Sequence, residues 1–269
     1  MSVGAAFREL HQRDGAFVMP NPWNVGSARL LESLGFEALA TTSSGHSYSM
    51  GRPDGVRAVS RQEALEHATE LTAATRLPIN GDLERGYGDE PEAVAETIRL
   101  AGEAGLAGGS IEDATGDPAE PIYELGLAVA RVAAAVEAAR GLGDDFVLTA
   151  RAENFLHGRP DIDDTIRRLV AFQDAGADVL YAPGISDLET MRHVVASVDR
   201  PVNALARPNW TVSQLEEVGV KRISIGGALA VASFAALLRG AREILDEGTF
   251  TYVREIPDDF DLNNLFGRL

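Results

Sequence analysis

Along the chain, short apolar runs alternate with longer segments whose apolar positions recur at helical spacing. One junction repeats: the end of a helical stretch, a glycine, then a short apolar run. It occurs in LLESLGFEALATTS around Gly35, LAGEAGLAGGSIED around Gly105, FQDAGADVLYAPG around Gly176 and LEEVGVKRISIGG around Gly219. Glycine just past a helix suits the left-handed C′ position, and such an apolar run is the right length for a buried strand. Further strands are predicted at Ala16–Asn21, Leu77–Asp82, Phe146–Arg151 and Pro201–Leu205, making eight apolar runs in all. Between them, Ser60 with Glu63 and Ser186 with Glu189 read as capping boxes, and Pro91 suits a first helical turn. Leu127–Arg140 and Ile162–Ala175 read as helices. Strands alternating with helices give a parallel sheet, either open or closed, and eight such units in this length favour a (β/α)8 TIM barrel. No linker interrupts the pattern, so residues 1–269 are expected to form one barrel domain. Residues 247–269, outside the repeat, are expected to pack on a partner subunit.

Composition narrows the chemistry. The chain has 269 residues, 24 Lys+Arg against 41 Asp+Glu, a formal charge of −17 and no cysteine. The acidic balance argues against nucleic acid and against anionic membrane surfaces. No apolar stretch approaches the roughly 20 residues of a membrane span, and the start lacks a signal-peptide core, so a cytoplasmic protein is expected. The missing thiol fits a reducing compartment and removes disulfides, thiolate metal sites and cysteine nucleophiles. Lys221 is the only lysine and precedes the eighth run, at the stability end of a barrel, which excludes a Schiff-base mechanism there.

Polar residues gather where barrel strands end: Thr41 to His46, Asp82 to Gly88, Glu112-Asp113, Arg151 to Asn154, and Asn203. Asp82, Glu84 and Glu112 belong to adjacent strands, and Asp82 and Glu84, two apart on a strand, would face one side. Clustered carboxylates repel unless a cation sits among them, and an oxygen-only set suits Mg²⁺ or Mn²⁺. The same acids could instead serve as helix caps, as expected for Asp89 and Asp117. Arg151 either neutralises Glu112 or clamps a substrate carboxylate. Ser44-Gly45-His46 could turn backbone N–H groups toward an anion in a glycine-permitted nest. His11, His67 and His193 are expected at helix surfaces, His157 in a loop, and Trp23 and Trp210 in packing roles.

At these residues the sequence resembles the isocitrate lyase/phosphoenolpyruvate mutase superfamily, over roughly residues 17–238. The resemblance rests on Pro20-Asn21-Pro22-Trp23-Asn24, Ser43-Ser44-Gly45, Gly51-Arg52-Pro53-Asp54-Gly55, Asp82-Leu83-Glu84-Arg85-Gly86-Tyr87-Gly88, Ile111-Glu112-Asp113 and Ala150-Arg151, in this order. It implies a barrel whose subunits exchange a C-terminal helix, in homodimers or homotetramers. It also implies Mg²⁺ held directly or through water at Asp54, Asp82, Glu84 and Glu112. A 2-oxo or 2-hydroxy carboxylate would be bound by Ser43, Ser44, Gly45, Arg151 and Asn203. The chemistry implied is cleavage or formation of a C–C or C–P bond next to a pyruvate-like enolate.

The loop after the fourth strand reads Ala114-Thr115-Gly116-Asp117-Pro118-Ala119-Glu120-Pro121, without the Cys-bearing run of the isocitrate lyases. The expectation is therefore a Mg²⁺-dependent lyase or decarboxylase of a small 2-oxo or 2-hydroxy dicarboxylate. A phosphonopyruvate-type C–P enzyme and a non-catalytic 2-oxoacid-binding protein are the alternatives. Proton delivery falls to water, Tyr48, Tyr87 or His46.

Overall fold

A computed structural model describes residues 2–55, 57–143 and 145–267. Eight parallel strands, β1 (Phe17–Met19), β2 (Leu39–Ala40), β3 (Ile79–Asp82), β4 (Gly108–Glu112), β5 (Val147–Arg151), β6 (Val179–Tyr181), β7 (Val202–Leu205) and β8 (Arg222–Ser224), pair in the order β1-β8-β7-β6-β5-β4-β3-β2. The seam between β1 and β2 is bridged by Ala40 N–H donating to the Pro20 carbonyl at 3.0 Å, so the sheet curls into a nearly closed (β/α)8 barrel. The helices are α1 (Val3–Gln12), α2 (Val25–Ser33), α3 (Ser43–Ser49), α4 (Arg61–Ala74), α5 (Pro91–Glu103), α6 (Leu125–Arg140), α7 (Ile162–Asp174), α8 (Leu188–Ala196), α9 (Val212–Glu217), α10 (Ala228–Glu247) and α11 (Leu262–Gly267).

The local signals translate into these elements with instructive exceptions. Ser60 and Glu63 form the expected capping box on α4, and Pro91 opens α5. The box expected from Ser186 and Glu189 does not form: α8 starts one residue later, and Asp187 caps it by accepting from Thr190 N–H. Asp89 is not a cap either. It pairs with Arg85 and accepts from the Tyr123 hydroxyl, while Glu90 precedes α5 without a side-chain bond. Asp117 caps a turn inside the loop through Ala119 N–H.

Two apolar clusters fill the space between strands and helices on opposite halves of the barrel. A third, with Phe7, Leu10, Phe17, Met19 and Val147, closes the barrel's floor from below with α1. A Cβ on Gly108 would sit 2.5 Å from the Val147 carbonyl and 2.9 Å from Phe7, so glycine is required where α1 enters. His11 belongs to this plug. Far from lying at the surface, it is buried and packs edge-on against Phe7 and Phe17. His67 is likewise buried, because α4 turns that side chain toward α3, whereas His193 is exposed and His157 lies in a turn after β5, both as expected. Lys221 ties the floor together by donating to the carbonyl of Gly15 at 2.9 Å and to that of Arg13.

Asp178 anchors the same end. It accepts from Arg8 (2.9 Å), Arg140 (2.9 Å) and Leu148 N–H (2.9 Å). Burial alone would raise its pKa, but these bonds outweigh it and hold the carboxyl below the ordinary range. The folded-state value is depressed, so this stabilisation is complete above an unfolded pKa of about 3.9 and is lost as pH falls through the lower folded value. Asp178→Asn is expected to destabilise the protein by about 2–3 kcal/mol at neutral pH. The gap to wild type should narrow steadily below about pH 4 in urea titrations; a gap independent of pH would remove Asp178 from the acid response.

Candidate active site

The catalytic end of the barrel holds a cavity of about 310 Å³. Its upper walls include Thr42, Ser43, Ser44, Asp54, Asp82, Arg151, Gly226 and Gly227, and it continues down the barrel axis to Met19, Asn80, Ser110 and Arg222. Arg151, at the end of β5, is the hub. Its Nη1 donates to Asp82 Oδ1 at 2.9 Å, its Nη2 lies 3.1 Å from Glu112 Oε2, and its Nε donates to Glu153 Oε1 at 2.9 Å. The guanidinium also lies 5.2 Å from the Tyr181 ring centroid, close enough for a cation–π contact. Of the two readings of Arg151 from the sequence, the structure shows the neutralising one: it pairs with Asp82, Glu112 and Glu153 at the wall of the cavity.

The backbone explains how these groups meet. Asp82 is the last residue of β3; its N–H donates to Thr41 Oγ1 at 2.7 Å, and its Oδ2 accepts from Ser43 N–H at 3.0 Å. Glu84 does not share a strand face with Asp82 as the two-residue spacing suggests, because the strand has ended. The chain turns at Leu83, Glu84 adopts φ of 49°, and its carbonyl accepts from Glu112 N–H. A left-handed turn, rather than strand alternation, brings Glu84 back toward Asp82.

Ser43, Ser44 and Gly45 form the first turn of α3, capped by Thr42, and not a glycine nest. Gly45 is needed for space: a Cβ would lie 2.6 Å from Thr42 and 3.1 Å from Trp23. Ser43 N–H is engaged by Asp82 and Gly45 N–H by Thr42 Oγ1, which leaves the Ser44 N–H pointing from a helix N-terminus with no protein acceptor among the described residues.

The acids sense one another. Burial, then the charges of Asp82 and Asp54, push Glu84 up to about 7. Burial and Asp82 raise Asp54, and Glu112 is raised well above the carboxylate range by burial, with Glu153, Asp82 and Glu84 opposing the relief from Arg151. Of the four expected metal carboxylates, Asp54 and Asp82 line the cavity, Glu84 lines an adjoining hollow that Asp82 also reaches, and Glu112 lines neither; together they are a hard, oxygen-only donor set, which fits Mg²⁺ or Mn²⁺. Among the described residues no three acids or histidines stand close enough to grip an ion directly, so part of any coordination shell must be water or substrate.

Other expected residues divide. Asn203 reaches the cavity, donating to Ser224 Oγ at 3.0 Å and accepting from Arg222. Tyr48 and His46 do not line it. Tyr48 sits in the last turn of α3, partly exposed, and His46 turns behind α3 to stack on His67 with ring centroids 3.8 Å apart. Tyr87 hydrogen-bonds Glu84 at 3.4 Å from below the loop.

The sequence places Glu153 and Asp113 among the polar strand-end residues without a role for either, and does not mark Tyr181 or Arg168. Asp113 accepts from Glu153 N–H (2.8 Å) and from Arg168 (3.1 Å), and Arg168 also holds Asp164. These groups stack β4, β5 and α7 into one frame around Arg151. Arg168, spaced one helical turn from Asp164 on α7, was the available signal.

Comparison with known proteins then places the chain. The family model described as phosphoenolpyruvate phosphomutase matches residues 7–245. A crystal structure from Burkholderia cenocepacia J2315, provisionally described as a lyase/mutase, is 53% identical with a TM-score of 0.94, covering 98% of this chain and 95% of that one. The oxaloacetate decarboxylase of Paraburkholderia xenovorans is 32% identical over 210 residues, 75% of this chain and 68% of that protein. An oxaloacetate acetylhydrolase crystallised with its product oxalate is 26% identical with a TM-score of 0.88, covering 99% and 93%.

Proposed function

This chain belongs to the phosphoenolpyruvate phosphomutase family, within the isocitrate lyase/phosphoenolpyruvate mutase superfamily of lyases and mutases, and from that premise we propose that it is a Mg²⁺-dependent carbon–carbon lyase or decarboxylase of a small 2-oxo or 2-hydroxy dicarboxylate. The observation that carries this is Arg151 shared by Asp82, Glu112 and Glu153 at the wall of the cavity. Asp54, Asp82, Glu84 and Glu112 would hold the ion. When bound there, it would supply a Lewis acid that polarises the substrate's 2-oxo group.

The chain's own residues do the rest. Ser44 N–H, at the start of α3, and the terminal nitrogens of Arg151 present donors to the substrate's carboxylate and carbonyl oxygens. They stabilise the negative charge that grows on the 2-oxygen as the neighbouring bond breaks. The Nε bond to Glu153 keeps the guanidinium aimed while its terminal nitrogens exchange protein carboxylates for substrate. Tyr181, pushed up to about 12 by burial, stays protonated beneath it. The loop after β4 closes as a small hairpin, Ala114 opposite Ile122, and carries no thiol, imidazole or amine. Loss of CO₂ from a 3-carboxyl needs no base to begin, so this reading tolerates that loop. Cleaving a 2-hydroxy acid in the isocitrate manner requires a base for the 2-hydroxyl, which this loop does not carry.

The experiment is turnover of a panel containing oxaloacetate, substituted malates, 2-methylisocitrate and phosphonopyruvate, with Mg²⁺ and with EDTA. Metal-dependent release of pyruvate from a C4 dicarboxylate is expected. Phosphate release from phosphonopyruvate alone would move the reaction to C–P chemistry, and metal-independent turnover would overturn the mechanism.

The C-terminal residues support the expected oligomer. On α10, Leu237, Leu238 and Leu245 are exposed, as are Phe250, Val253, Ile256 and Phe260 beyond it. An apolar face this long on a chain of such negative charge calls for cover. We assign it to a second copy of the chain, in a homodimer or homotetramer; a monomer at micromolar concentration by light scattering would refute this.

A further inference from the structure

Below the carboxylates, the inside of the barrel is unusually polar. Asn80, Ser110, Thr149, Asn203 and Arg222 are all buried, where barrels of this kind mostly carry branched apolar side chains. A single line of paired residues links the upper site to this lower level: Arg151 pairs with Tyr181, Tyr181 with Asn203, and Asn203 with Arg222 across β5, β6, β7 and β8.

Arg222 has an incomplete set of partners. Its Nε donates to Asn203 Oδ1 (2.8 Å), its Nη2 to Thr149 Oγ1 (3.0 Å), and its Nη1 faces His11 Nε2 at 3.4 Å. Every one of these is neutral. His11 Nδ1 lies 2.8 Å from the Phe7 carbonyl, which only accepts, so the ring's proton sits there and Nε2 offers a lone pair. Burial and the neighbouring Arg222 charge pull the His11 pKa down to about 3, which keeps the ring uncharged. Each terminal nitrogen of a guanidinium carries a pair of N–H groups, so each retains a donor after these bonds. No carboxylate pairs with Arg222 among the described residues, although the residue is 1% exposed. A buried charge of this kind is costly unless something compensates it. Nearby, Asn80, 3% exposed, lines the same cavity; its amide N–H donates to the Gly81 carbonyl at 3.2 Å, and its side-chain oxygen, which only accepts, leaves Arg222 as the group there that favours an anion.

We propose that the deep end of the cavity, with the unsatisfied N–H groups of Arg222 as its charge and Ser110 and Asn203 beside it, is a second anion subsite that receives the distal carboxylate of a dicarboxylate substrate. The proposal rests on the assignment of the cavity as a 2-oxo-acid site and specifies which member of that class fits. The mouth, rich in acids, takes the 2-oxo-acid head together with a cation; the floor, with an uncompensated guanidinium, takes the tail. Arg222 is then the residue that selects an anionic tail over an apolar one of the same length.

The test uses the full chain and calorimetric titration with Mg²⁺ present. The ligands are 2-oxoglutarate and 2-oxopentanoate, which share a head and a carbon count and differ in the distal carboxylate, with oxalate as a head-only probe. Wild type is expected to prefer 2-oxoglutarate by roughly tenfold or more, the size of one charge-assisted pair. In Arg222→Met that ratio should fall to near one with oxalate affinity unchanged, and Arg222→Lys should keep part of it. A wild-type ratio near one, or a ratio that survives in the methionine variant, overturns the subsite without any variant needing to fold better than wild type. A purely structural arginine would lower Tm in both variants and leave the ratio intact.

Should oxalate fail to bind, the head-site assignment falls separately. Succinate in EDTA then reads the floor alone: a rise in wild-type Tm that disappears in Arg222→Met supports the subsite, and no rise refutes it.

Discussion

Arg151→Met should abolish oxalate binding and turnover together, with affinity falling by at least about a hundredfold, because the arginine meets both the protein's acids and the ligand's oxygens. The same substitution strips Asp82, Glu112 and Glu153 of their shared cation. Leaving buried carboxylates unpaired costs about 3–5 kcal/mol, so the variant should also melt earlier by several degrees. Mg²⁺ should restore part of that stability, since a divalent ion can take over the neutralising role, while leaving turnover lost. Arg151→Lys keeps the charge but not the planar fork, and is expected to recover stability more than binding. Calorimetry with oxalate and thermal melts with and without Mg²⁺ check the whole set. Oxalate affinity unchanged in the methionine variant would show that the cavity has been assigned to the wrong ligand.

Metal removal should produce the second largest effect. Burial and neighbouring acids raise the pKa values of Asp54, Glu84 and Glu112, so a cation bound among them is expected to stabilise the fold as well as support the reaction. At about a hundred times its dissociation constant Mg²⁺ should add about 2.7 kcal/mol, seen as a rise in Tm of roughly 5–10 °C for a chain this size. EDTA should remove that increment and all turnover, and Mg²⁺ or Mn²⁺ should restore both. Asp82→Asn should lose most of the increment, since its carboxylate lies between Ser43 N–H and Arg151 at the centre of the group. Equal melting with EDTA and Mg²⁺, together with full activity in EDTA, would sink the metal assignment.

The strands at 79–82, 147–151 and 202–205 fall inside the runs picked from apolar pattern, because burial of a parallel strand on both faces is written as a continuous apolar run. Asp54, Asp82, Ser43, Ser44, Arg151 and Asn203 all line the cavity, since a closed barrel sends strand ends to one place. His46 and Tyr48 do not, because α3 is helical: consecutive residues there point in different directions, and only its first turn faces the barrel mouth. Asx and Ser caps shifted by a residue at α8 for a similar reason, since competing acceptors stand side by side in the chain and only the helix's start decides between them.

Architecture, the acidic character of the mouth, the exclusion of thiol and lysine chemistry, and the candidate status of Arg151 were all legible from order and residue type alone. They depend on periodicity and composition, which are local properties of a chain. The left-handed turn at Glu84, the frame of Asp113 with Glu153 and Arg168, the burial of His11 and the uncompensated Arg222 on the cavity floor were decided only by tertiary structure. Each joins residues far apart in sequence, and the energy of a charge depends on which partners and how much water the fold leaves beside it.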